Sequence, residues 1–194
     1  MKKIDTINIS FKSTIIIFVI MFLMLPVGEN VFISVVGKDP EYTVGPNGML
    51  LTVFAVLIVH ELLHAVGYLL AKRRPSFGVG MLGVLPVVYT TSKDNKKMTL
   101  RQMLVTGYLP FVALSILLII HGIIFPEHRQ ITSFAFIINF AASAADLFMA
   151  SKFWKYLRFK NVMVLDTKSG SDIYSSDKEA IELSRTSTKK HHST

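Results

Sequence analysis

Residues 56–70 read VLIVHELLHAVGYLL, two histidines and a glutamate set inside a run otherwise fit for lipid. A charged group near the centre of a membrane helix costs ~2.5–3.5 kcal/mol on insertion scales, and ionisable residues there are functional by default. Three within five positions, His60, Glu61 and His64, make the pattern H-E-x-x-H. On a helix, positions i and i+4 share a face one turn apart, so both imidazoles can reach one metal ion. Zinc suits such a pair, because it accepts imidazole nitrogen and tolerates a tetrahedral site with one open position. Glu61 can lie over that position and take a proton from water whose pKa the metal lowers to ~7. The bland alternative is a pair of histidines that merely bond across helices.

The rest of the chain fits a membrane setting. Of its 194 residues 51% are hydrophobic, the mean hydropathy is positive, and the charges fall between apolar runs. Four runs approach the ~20 residues needed to cross a bilayer: Thr14–Val36, Met49–Ala71, Leu100–Phe125 and Ile131–Leu157. They predict an all-α integral membrane protein with four transmembrane helices, the lipid bilayer being its first partner. The net charge of +8 would suit nucleic acid, but its placement argues against that. Lys and Arg crowd before the first run, between the second and third, and after the fourth. That alternation puts both termini and the middle loop in the cytoplasm. The first run is too long and starts too late for a cleaved signal peptide, so it reads as a retained helix. Cysteine is absent, which excludes disulfides and Cys-ligated metal. No inverted repeat of the transporter kind is visible.

Punctuation sets the finer organisation. PVGEN (26–30) predicts an interruption of the first helix, and GKDPEYTVGPNG (37–48) an outer loop of turns. The middle loop is short and glycine-rich; its FGVGMLGVLPVVYT (77–90) fits a β-hairpin, a re-entrant loop or an irregular lid. Trp154 and Tyr156, beside lysines, predict an interfacial anchor at the end of the fourth helix. The predicted domains are a four-helix membrane unit, residues 1–160, and a polar cytoplasmic tail, 161–194. That tail reads as largely disordered, although VMVLDTKSGSDIY (162–174) could make a small strand-turn-strand.

Two histidines do not complete a catalytic zinc site. Asp146, in the fourth run, lies at a depth compatible with His64, and coordination would remove the cost of an unpaired carboxylate. His121 is its rival, placed in the outer half of the third helix. Asn139 precedes Asp146 by seven residues, two turns, so the two share a face. Small residues between them allow close helix approach. Asn139 could then donate to a developing oxyanion, or simply bond another helix.

With these pieces on a late and a second helix, the chain resembles a membrane-embedded zinc metalloprotease. More narrowly it resembles the bacterial putative zincin peptidase family DUF3267. The matching stretches are HELLHAVGYLL, FGVGMLGVLPVVYT, GYLPFVAL, NFAASAADLF and VLDTKSGSDIY, in that order along roughly residues 50–175. A wider similarity, in chemistry and layout, is to site-2 proteases. Their Asn/Asp-Gly motif is not matched, since Leu147 follows Asp146 and the usual prolines near the Asn are absent. The resemblance implies His60, His64 and Asp146 as zinc ligands, Glu61 as catalytic base, and a bacterial cytoplasmic membrane as the location. Together these features predict hydrolysis of peptide bonds in membrane-associated protein or peptide substrates. The competing class is a non-enzymatic membrane protein that handles metal ions or protons with the same His/Glu/Asp cluster.

Overall fold

A computed structural model describes residues 1–37, 45–82, 85–167 and 170–182. The expected turns at 38–44, residues 83–84 of the middle loop and the chain from residue 183 lie outside the described residues.

Four segments are long and apolar enough to cross a membrane: α1 (Phe11–Val36), α2 (Pro46–Leu70), α3 (Leu100–Ile124) and a composite span, Pro126–Tyr156. Local chemistry starts each single helix. The Ser13 amide donates to Ser10 Oγ at the head of α1. Pro46 opens α2, where its missing N–H would have no helical partner anyway. A reciprocal Thr99–Gln102 capping box opens α3. The interruption expected at PVGEN does not occur. α1 runs through Pro26, which removes one helical bond, while Asn30 Nδ2 donates to the Pro26 carbonyl at 2.7 Å and Gly28 is buried against Phe140.

The composite span is broken instead. It contains α4 (Arg129–Ala142) and α5 (Ala144–Phe153), joined at Ser143. Ser143 Oγ donates to the Asn139 carbonyl at 2.8 Å, the same carbonyl that accepts the Ser143 amide at 3.1 Å. This span is the central one. In its most apolar stretch 56% of residues are buried within the protein, against 17% in each of the other three. Phe32 of α1 packs on Phe136 and Phe140 of α4, and Val56, Leu114 and Ala135 join α2, α3 and α4. The outward faces stay apolar, as lipid requires: Phe22, Leu51 and Leu70 are exposed.

The all-α expectation needs correction, because two small antiparallel sheets accompany the helices. β2 (Pro75–Leu82) and β3 (Leu85–Ser92) form a hairpin in the middle loop, with Val79 opposite Val88. The other sheet gathers β1 (Lys2–Asn8), β4 (Met98–Thr99), β5 (Val162–Thr167) and β6 (Gly170–Ser175) in the order β1-β6-β5-β4. The strand-turn-strand expected in the polar end segment is therefore present, and it is integrated with the rest. Val162, Val164 and Ile173 point into a cluster with Ile7, Phe153 and Tyr156. That cluster explains why the segment is ordered: alternate residues of β5 and β6 have an apolar surface to cover. It also divides the expected aromatic anchor. Trp154 is exposed, whereas Tyr156 is buried and donates to Asp5 of β1.

Candidate metal centre

α2 presents His60 and His64 on one face, both buried, with their rings 5.0 Å apart in an edge-to-face arrangement. The composite span, divided at Ser143, brings Asp146 to them. His60 Nε2 stands 3.1 Å from Asp146 Oδ2, and His64 Nε2 stands 3.4 Å from Asp146 Oδ1. One ligand atom from each of the three residues lies within 4.8 Å of the others, a group that could hold a metal ion.

The far side of each imidazole decides what the near side can do. His64 Nδ1 lies 3.0 Å from the Thr106 carbonyl oxygen, which only accepts, so Nδ1 carries the proton. His60 Nδ1 lies 3.3 Å from Asn139 Oδ1. The Asn139 amide faces the other way, donating to Ser115 Oγ at 3.0 Å and toward the Phe111 carbonyl at 3.4 Å. Since that carbonyl only accepts, the amide orientation is fixed, and His60 too donates from Nδ1. With Nδ1 donating on both rings, each Nε2 is the nitrogen turned toward the Asp146 carboxylate, and in the neutral tautomer it presents a lone pair there. Lone pairs facing lone pairs repel unless a cation lies between them. A divalent metal resolves all three at once, and the N, N, O donor set is one zinc accepts. The residues fit the metal.

Close helix approach makes this geometry possible. A Cβ on Gly67 would lie 2.8 Å from the Thr106 Cα, so only glycine lets α3 come near enough for Thr106 to reach His64. Glu61, the next residue after His60, points to the hairpin. Thr90 Oγ1 of β3 donates to Glu61 Oε2 at 2.8 Å. Among the described residues, no hydrogen bond engages Glu61 Oε1.

The structure thus brings His60, His64, Asp146 and Asn139 together, with Glu61 beside them. Asn139 spends its amide on α3 and its oxygen on His60, so an oxyanion role would need it to turn. His121 is elsewhere: its Nδ1 pairs with Thr132 Oγ1 at 2.8 Å and its ring stacks on His128.

Sequence reasoning missed Thr90, Thr106, Ser115 and Asp166. Asp166 of β5 accepts from Tyr68 Oη at 2.5 Å and from Thr91 Oγ1 at 2.6 Å. Burial raises its carboxyl above the usual range, outweighing those bonds and the backbone amides of Ser92 and Thr167. Tyr68 did carry a signal, since it lies one turn beyond His64 on the same face of α2. Thr106 acts through its backbone, which no side-chain pattern reveals.

Four helical segments long and apolar enough to cross a membrane thus accompany a His-His-carboxylate group that could hold a metal ion. Residues 53–158, more than half of the chain, match the family model DUF3267, described as a putative zincin peptidase, and the protein belongs to that family. The matched stretch contains His60, Glu61, His64, Asn139 and Asp146, and it ends before β5. No curated protein and no solved structure matches the chain.

Proposed function

We propose that this protein is a membrane-embedded zinc metallopeptidase that hydrolyses peptide bonds of membrane-associated substrates. The observation that carries the proposal is the convergence of His60 Nε2, His64 Nε2 and both Asp146 oxygens beside Glu61. His60, His64 and Asp146 would hold the zinc, which when bound supplies a Lewis acid that acidifies water and polarises a carbonyl. Glu61 takes the proton of the attacking water on Oε1 and returns it to the leaving amine as the C–N bond breaks. Asn139 and the Thr106 carbonyl keep the two histidines in the tautomer that leaves Nε2 free.

The charge pattern supports both termini on the cytoplasmic side, and the joining of β1 with β6 in one sheet supports their lying on the same side. A lipid-buried helix has no free backbone groups, so its cleavage requires local unwinding. The unwound segment can add as a strand beside the hairpin, where β3 from Val87 to Tyr89 leads to Thr90 and the base.

Zinc content and proteolysis, measured together in wild type and Glu61→Gln, test the proposal. A peptidase keeps its zinc and loses cleavage in the variant. A wild type that binds metal yet leaves every membrane protein of a reconstituted proteome intact would instead favour the ion-handling alternative.

A further inference from the structure

The β2–β3 hairpin is fastened to the rest of the protein by two neighbouring threonines. Adjacent residues of a strand point to opposite faces, and here each face meets a different carboxylate. Thr90 Oγ1 donates to Glu61 Oε2 at 2.8 Å and lies 3.2 Å from the Glu61 carbonyl oxygen. Thr91 Oγ1 donates to Asp166 Oδ2 at 2.6 Å. The same Asp166 oxygen accepts from Tyr68, one turn beyond His64 on α2, and the Ser92 backbone amide also bonds the carboxylate. Asp166 itself stands on β5, which is paired on both sides by β4 and β6. One half-buried carboxylate therefore joins the metal-binding helix, the hairpin and an interior strand of the larger sheet.

Without such fastening the hairpin would be poorly placed. Among the described residues β2 and β3 pair only with each other, and an isolated two-stranded hairpin is marginal by itself. At its base, the Lys93 amide donates to the Arg74 carbonyl and the Arg74 amide to Asp94. Those bonds close the loop but do not aim it. Glu61 needs aiming, because a glutamate side chain has three rotatable bonds and this position is only half-buried.

We infer that Thr90 is a positioning residue for Glu61, and that Asp166, through Thr91, holds the strand that carries Thr90. The inference rests on the reading of Glu61 as the proton-transferring base. Thr90 has one hydroxyl proton and gives it to Oε2, which leaves Oε1 for the water. The strand β5 thereby becomes part of the catalytic apparatus, although it lies beyond the stretch shared with the family model.

The test uses the full-length, zinc-loaded protein in detergent with labelled casein as probe, and hydrogen exchange of residues 87–91 as a second readout. Thr90→Val is isosteric and should lower kcat about a hundredfold, the scale of an ångström of misplacement. KM and zinc content should not change, and Thr90→Ser, which restores the hydroxyl, should recover to within about threefold of wild type. Thr91→Val and Asp166→Ala should lower kcat similarly and speed exchange at 87–91 by about tenfold or more, zinc content again unchanged. Wild-type kcat in Thr90→Val would overturn the role of Thr90. Unchanged exchange in a folded Thr91→Val protein would overturn the anchor, whatever Asp166→Ala does to folding. A wild type that holds zinc but cuts no casein counts against the peptidase reading, and there the exchange measurement still decides the anchor.

Discussion

His64 donates from Nδ1 to the carbonyl oxygen of Thr106 across 3.0 Å. A backbone carbonyl cannot donate, so this contact selects one tautomer and turns Nε2 toward Asp146. The partner is held by the fold, since it is part of the α3 backbone. Its reach depends on α2 and α3 touching at Gly67.

Gly67→Ala should expose that dependence. The added methyl would meet the Thr106 Cα at 2.8 Å, a backbone atom that can yield only if the helices part. Overpacking of this kind costs about 1–3 kcal/mol. We expect a lower unfolding temperature in detergent and weaker zinc binding, both read on purified protein. Wild-type values of both would show that the helices part freely and that Thr106 does not set His64.

The ligand set makes a sharper claim. Asp146→Ala should lower zinc affinity as severely as His64→Ala, beyond the ~10–100-fold typical of lost outer-shell partners. His121→Ala should leave metal binding intact, because its ring pairs with Thr132 and His128. Zinc titration against a competing chelator distinguishes these outcomes. An empty site in His121→Ala with a full one in Asp146→Ala would reverse the assignment.

The site was legible where chemistry is dear and periodic. His60, Glu61 and His64 stand out because lipid makes each of them costly, and Asp146 stands out for the same reason. Their helix was equally plain from its apolar run. The strands were harder to see. β1 and β4 come from opposite ends of the first hundred residues, and each is a strand only because β5 and β6 offer an edge and an apolar cover. Strand preference of that sort depends on context more than on local composition. The break at Ser143 was likewise hidden, since a serine in a helix can point outward or bond back to the turn before it.

The larger sheet also bears on topology. β1 pairs with β6 from Lys2 opposite Ser175 to Asn8 opposite Gly170, so both end segments lie on one side. On the proposed topology, which the lysine and arginine pattern favours, that side is the inside. Reporter domains fused at Gly45 and at Asn95 should report outside and inside respectively. The opposite pair of results would invert the orientation.

Asp5 of that sheet gives the fold a dependence on acid. Burial raises its carboxyl, but hydrogen bonds from Tyr156 and Lys155, with the Lys155 charge, outweigh it and hold the pKa below the usual carboxylate value. A lowered folded-state pKa contributes stability above the unfolded value of 3.8 and loses it as pH falls through the folded one. Asp5→Asn should therefore be less stable than wild type at pH 7, and the gap should shrink below about pH 4. Thermal unfolding across that range measures it; a gap that stays constant with pH would assign the effect to packing.

Asn139 separates two kinds of catalytic help. If its amide served a developing oxyanion, Asn139→Ala would slow cleavage by about 2.7–4 kcal/mol in barrier and leave zinc affinity alone. The structure points its oxygen at His60 Nδ1 and its amide at Ser115 and Phe111. Losing that oxygen frees the His60 ring to rotate and to move its proton to Nε2, where it opposes the metal. We therefore expect Asn139→Ala to weaken zinc binding by about 10–100-fold, the usual loss when an outer-shell partner of a metal-bound histidine is removed. Asn139→Asp keeps an acceptor for Nδ1 and should restore most of that affinity. Ser115→Ala should have a smaller effect in the same direction, since it removes only one of the two contacts of the Asn139 amide. Chelator competition on the three purified variants reads all of this without any substrate. Unchanged zinc affinity in Asn139→Ala, joined to a large fall in kcat, would return the residue to the oxyanion role.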